Sequence, residues 1–205
     1  MRRVRAAAAG PAAVVLLWST LPAASIHSGF PLLGPRPLSW LAADPASAAL
    51  FQAGLAGAGL LLVVFHGHVR ARYPVGPWFS VAMLTGLAGQ MVAAVVPISG
   101  ADLAHHVHTV AALTLGASLP VLMWLFADAQ PAGAWRRRAR HLAWAEVIAS
   151  IAGLVLSRRS VAALAEVLPA AVFHVWVVVT AVSAGPGPRK PRLVTGREHT
   201  VPVRC

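Results

Sequence analysis

Asp102, His105, His106 and His108 crowd the stretch 102–108, and Glu166 stands alone in an apolar run further on. Imidazoles with a carboxylate beside them can hold zinc or another divalent cation, exchange protons near neutral pH, or hydrogen-bond a polar ligand. His105 and His108 are three residues apart, which places them on one face of a helix with Ala112 above. Asp102 is suited to cap that helix, its carboxylate accepting bonds from the first free amides. The plainer reading is a capped helix start with polar side chains at headgroup level. If a metal binds, its expected ligands are His105 and His108.

Glu166 is ionisable at membrane depth, which is costly unless the group faces the bundle interior or water. It is expected either to join the histidines in a site or to pair with Arg158 or Arg159. Glu146 reads as an interfacial ion pair with the Arg136–Arg140 run. Gln90 and His174 are interior polar residues that need partners on neighbouring helices, with cross-helix hydrogen bonding the first expectation. His66, His68 and His141 flank the apolar runs rather than lying at paired depths, which argues against bis-histidine haem. GxSxG, Walker, HExxH and CxxC elements are absent, and no cofactor is expected.

The elements that must position these residues are transmembrane helices. Hydrophobic residues make up 58% of the 205 and charged residues 11%, against roughly 25% charged in soluble domains. So much apolar surface needs lipid as its solvent. The runs predict six spans, at about 6–26, 46–65, 76–96, 105–126, 142–156 and 161–184. Together they form an all-α integral membrane bundle in a single domain, 1–184. The first run also has the layout of a signal peptide, with Pro22-Ala23-Ala24-Ser25 as a cleavage site, but its length favours a retained helix. Residues 27–45 read as an ordered external loop with Trp40 at the interface. Small residues at Gly54, Gly57, Ala58, Gly59, Gly86 and Gly89 allow close helix approach. Pro120 and Pro169 should bend their helices and free backbone carbonyls.

Charge placement sets the expected orientation. Of the 17 Lys and Arg residues, 14 fall on the side of both termini; Arg36, Arg158 and Arg159 fall on the other. Positive residues stay inside, so both termini are expected in the cytoplasm. The net charge of +11 therefore marks topology, with anionic lipids at the basic edge as partners and no nucleic acid. The tail, 185–205, is Pro-rich and basic and is expected to be disordered. Its lone Cys205 rules out a disulfide within the chain. Arginine outnumbers lysine 16 to 1, a composition that suggests a bacterial protein and hence the plasma membrane.

Several short motifs, taken in order, resemble a known family. Pro37-Leu38-Ser39-Trp40-Leu41 is similar to its Pro-x-Ser-aromatic-Leu element, and Phe51-Gln52-Ala53-Gly54-Leu55 to its second-span opening. Gly89 to Pro97, then His108 and Ala112, resemble its third-span end and fourth-span histidine. Ala165-Glu166 and Trp176 resemble its sixth-span positions. These point to the bacterial domain-of-unknown-function 998 family, six-span proteins distantly similar to the DRAM-like eukaryotic group. The family usually has arginine after the glutamate, where this chain has Val167. The resemblance implies membrane location and fold, and no substrate, reaction or cofactor.

The leading expectation is a non-enzymatic membrane protein whose external polar cluster, Asp102, His105, His108 and Glu166, binds a lipid headgroup, small ligand or partner. The alternatives are a metal-assisted intramembrane hydrolase built on the same groups, or a small-solute transporter with Gln90 and His174 along its path.

Overall fold

Six helices follow the apolar runs: α1 (Arg2–Ser28), α2 (Ala48–Arg72), α3 (Pro77–Val95), α4 (Asp102–Ala129), α5 (Ala134–Ser157) and α6 (Leu164–Val182). A short 3-10 segment, Leu38–Ala42, interrupts the α1–α2 connection. This computed structural model describes residues 2–98, 102–158 and 161–183; for 2–5 and 102 it describes the backbone only. The basic tail expected to be disordered, and Arg159 with Ser160 in the α5–α6 turn, lie outside the described residues. All six helices are long and apolar enough to cross a membrane. Leu60, Val81, Leu113 and Ile148 are among many large apolar side chains left exposed on the outer surface. In water such a surface would aggregate; in lipid it is the required finish.

Each helix packs on the next in sequence, and α6 closes the ring against α1. Close approach depends on small residues. A Cβ on Gly89 of α3 would lie 2.6 Å from the Ala111 carbonyl oxygen of α4, so backbone meets backbone there. Gly54 of α2 instead receives the side chain of Thr20 of α1, and Gly86 of α3 the side chain of Ser118 of α4. Local chemistry ends and starts the helices. Gly29 takes φ 70°, and the Phe30 amide reaches back to the Ser25 carbonyl at 3.1 Å, closing α1. Gly133, at φ 149°, turns the chain into α5 in a conformation closed to most L-residues.

The helix α5 begins well before the expected span at 142, because Arg136–Arg140 form its first turns rather than a loop. Glu146 is therefore mid-helix, about 18 Å from the Ala134 end by helical rise. It is fully buried with the Ser150 hydroxyl facing it from one turn on, and among the described residues neither carboxylate oxygen makes a well-formed hydrogen bond. This corrects the expected interfacial pair. Among the described residues, Arg136 and Arg140 bridge instead to Asp128, at the end of α4, at 3.6 and 2.8 Å.

The two ends of the bundle are filled differently. Towards the α2–α3 and α4–α5 turns, rings pack densely: Phe126 stands edge-on to Trp176 at 5.2 Å and to Tyr73 at 5.0 Å. Phe65 and Phe79 also lie against Trp176. Towards the α1–α2 connection the interior positions carry smaller groups, among them Ala93, Ala112, Gly116, Ala165 and Ala170. That half is hollow.

Candidate functional site: a polar-edged cavity in the hollow half of the bundle

The hollow measures about 170 Å³ and is walled by α1, α2, α3, α4, α6 and the 3-10 segment. An apolar cavity of about 150 Å³ takes up a benzene-sized guest, so the space suits a small molecule or a short length of chain. Its walls are mostly apolar, from Leu17, Phe51 and Leu119 among others, and its polar side chains are Ser39, Gln90, His108, Glu166 and His174. Among the described residues, no lysine or arginine lines it.

Glu166 lies in the first turn of α6, where a carboxylate is favoured by the helix dipole. Its Oε2 accepts the Leu38 backbone N–H at 2.7 Å, and the Ser39 amide and hydroxyl face the same carboxylate. Leu38 and Ser39 open the 3-10 segment after Pro37, which has no N–H. Their amides are the free donors of that turn, and Glu166 caps them from another helix. Four of the five residues in the segment are buried, with Leu41 fully so; Trp40 stays 42% exposed and Arg36 lies over its ring at 5.4 Å. The connection is thus a plug seated in the bundle. Of the expected partners of Glu166, Arg158 is exposed and Arg159 lies outside the described residues.

His108 is 3% exposed, and its Nδ1 lies 2.7 Å from the Val96 carbonyl oxygen. Val96 is the C-cap of α3, where carbonyls run out of helical donors. Since the carbonyl can only accept, Nδ1 carries the proton. In the neutral ring Nε2 then holds a lone pair; it is buried with no partner. His105 is exposed. Three residues separate the two by only about 60° around the helix, but the edge of the buried face falls between them. The structure therefore brings His108 and Glu166 to one cavity and leaves His105 on the surface. Asp102 begins α4, and its side chain is outside the described residues. Among the described residues, no three His, Cys, Asp or Glu groups come together to hold a metal.

Gln90 and His174 form the deeper polar edge. Gln90 donates from Nε2 to the Leu55 carbonyl of α2 at 2.8 Å, a cross-helix bond. Trp18 of α1 donates its indole N–H to His174 Nδ1 at 3.1 Å, with the rings edge-to-face at 6.0 Å. Sequence reasoning did not anticipate Trp18; an indole N–H at mid-helix was the available signal, because it must find an acceptor in lipid. Nor did it anticipate the seated plug, whose signal was a run of apolar residues, Leu38, Leu41 and Ala42, inside a Pro-rich loop.

The sequence profile of a family described as protein of unknown function, DUF998, matches residues 7–183. The chain belongs to the DUF998 family. The matched region contains all six helices from near the start of α1, and with them every wall of the cavity. No curated protein and no solved structure matches the chain. Within this DUF998 chain, two stretches that carry the resemblance, Pro37–Leu41 and Ala165-Glu166, meet through the Leu38–Glu166 bond. A third, the Gly89–Pro97 end of α3 with His108, meets through the His108–Val96 bond. The short motifs are the contacts that frame one cavity.

Proposed function

We propose that this DUF998 protein is a multi-pass protein of the bacterial plasma membrane, with both termini cytoplasmic, that binds a small, largely apolar ligand within its bundle. On this reading it is a binding protein and not an enzyme. The carrying observation is the cavity of about 170 Å³ with apolar walls and a polar edge of Gln90, His108, Glu166 and His174. Binding sites take this form: apolar walls supply affinity, and a few convergent polar groups set orientation. The 14-to-3 distribution of basic residues supports an external position for the plug and cavity.

A metal-assisted hydrolase built on His105 and His108 would need both rings at one point, and one is exposed while the other is buried. The binding reading is tested by native mass spectrometry of the protein released gently from membranes. A Cβ on Gly116, which lines the cavity, would meet nothing within 4 Å, so Gly116→Val narrows the space at little steric cost. The wild type should carry a small organic adduct that Gly116→Val loses. A wild type free of adducts under all extraction conditions contradicts the proposal.

A further inference from the structure

Several polar groups at the edge of the cavity are already engaged: Gln90 Nε2 donates to the Leu55 carbonyl, Trp18 to His174, and the Leu38 amide to Glu166. Left over is the His108 Nε2 lone pair, buried and without a partner, on a ring whose other nitrogen is fixed by Val96. An orphaned buried acceptor costs about 1–3 kcal/mol, and a ligand that donates to it recovers that loss.

Resting on the binding reading above, we infer that the ligand is an alcohol-type amphiphile: one hydroxyl donated to His108 Nε2, with an apolar body in the hollow. Anionic headgroups are disfavoured, since no Lys or Arg among the described residues of the lining could pair with them. A protonated amine brings three donors and a charge that must be paired when buried. Among the described residues of the lining, His108 Nε2 is the fully buried side-chain acceptor without a partner, and the Glu166 carboxylate is turned to Leu38 and Ser39. A hydroxyl fits that count.

The test uses four eight-carbon photoprobes carrying the same diazirine: the primary alcohol, its methyl ether, the carboxylate and the amine. Purified full-length protein in lipid nanodiscs is irradiated with each, and labelled peptides are mapped by mass spectrometry. The alcohol should label peptides of α4 and α6 saturably, at least about tenfold above the ether, equivalent to one lost hydrogen bond of roughly 1.4 kcal/mol. In His108→Phe, which keeps an aromatic ring but no acceptor, the alcohol-to-ether ratio should fall to about one. Gly116→Val, which leaves His108 untouched, should weaken both probes together while keeping their ratio. Equal labelling by alcohol and ether in the wild type overturns the hydroxyl assignment but leaves the apolar cavity reading standing. Preference for the carboxylate or the amine overturns it as well. Absence of saturable labelling by all four probes overturns the binding reading itself.

Discussion

The carboxylate of Glu166, on α6, caps the backbone N–H of Leu38, 128 positions away on the α1–α2 connection, at 2.7 Å. This bond seats the 3-10 segment against the bundle and makes one wall of the cavity. Losing a buried hydrogen bond so that its donor is left unsatisfied costs about 1–3 kcal/mol, enough to decide whether a short segment stays docked. In a Cys205→Ser background, Leu41→Cys should be inert to maleimide, because Leu41 is fully buried. Adding Glu166→Ala should raise its labelling rate at least about tenfold. An unchanged rate would mean that apolar packing alone holds the segment.

Glu146 tests the opposite case, a poorly satisfied carboxyl. It is completely buried in α5, and among the described residues only the Ser150 hydroxyl faces it, without a well-formed hydrogen bond. Replacing an unsatisfied buried polar group with an apolar one of similar volume is neutral or stabilising. Glu146→Leu should leave the melting temperature in detergent unchanged or higher. A loss of several degrees would show that Glu146 has a partner in the folded protein.

Gly89 should be intolerant where Gly67 is not. A side chain on Gly89 meets the Ala111 backbone, whereas a Cβ at Gly67 meets nothing within 4 Å. Gly89→Val should lower stability by about 1–3 kcal/mol through overpacking between α3 and α4. Gly67→Ala should be neutral or slightly stabilising, as alanine favours helix. Thermal melts of the two variants side by side provide the check.

Tyr73, in the α2–α3 turn, donates its hydroxyl to the Thr180 carbonyl at 2.7 Å. Burial raises its pKa above the ordinary phenol value of 10.0, opposed in part by the nearby Arg72 charge. A folded-state pKa above the unfolded one stabilises the fold below the unfolded pKa, and that contribution is lost as pH rises through the folded value. Stability should therefore decline above about pH 10, and Tyr73→Phe should lose the hydrogen bond while flattening the decline. Tyr73 is the sole tyrosine, so phenolate absorbance reads its titration directly; a midpoint at or below the ordinary value contradicts the burial effect.

Orientation is checked with single cysteines in intact cells, again on Cys205→Ser. Leu33 and Ala132 are both exposed, on opposite ends of the bundle. Leu33→Cys should react with an impermeant maleimide and Ala132→Cys should react only after lysis. The reverse pattern inverts the topology and moves the cavity to the cytoplasmic side.

The helices were legible because apolar runs of membrane length have few other uses. The start of α5 was not, because Arg136–Arg140 read equally as a loop or as the polar end of a helix; that ambiguity left Glu146 too shallow. Glu166, Gln90 and His174 stood out as polar groups at depth. His105 and His108 could not be separated in the sequence, since which side of α4 turns inward depends on the packing around the ring. The cavity itself was invisible, because empty space arises from small residues on three helices, α3, α4 and α6, at one depth, and no local pattern encodes that coincidence.

The most direct measurement is an experimental structure in lipid nanodiscs, determined without added ligand. The expected result is the 3-10 segment seated by Glu166, His108 turned to the Val96 carbonyl, and non-protein density in the hollow beside His108 Nε2. A collapsed hollow filled by the protein's own side chains, or His108 and Glu166 turned apart towards the headgroups, would contradict it.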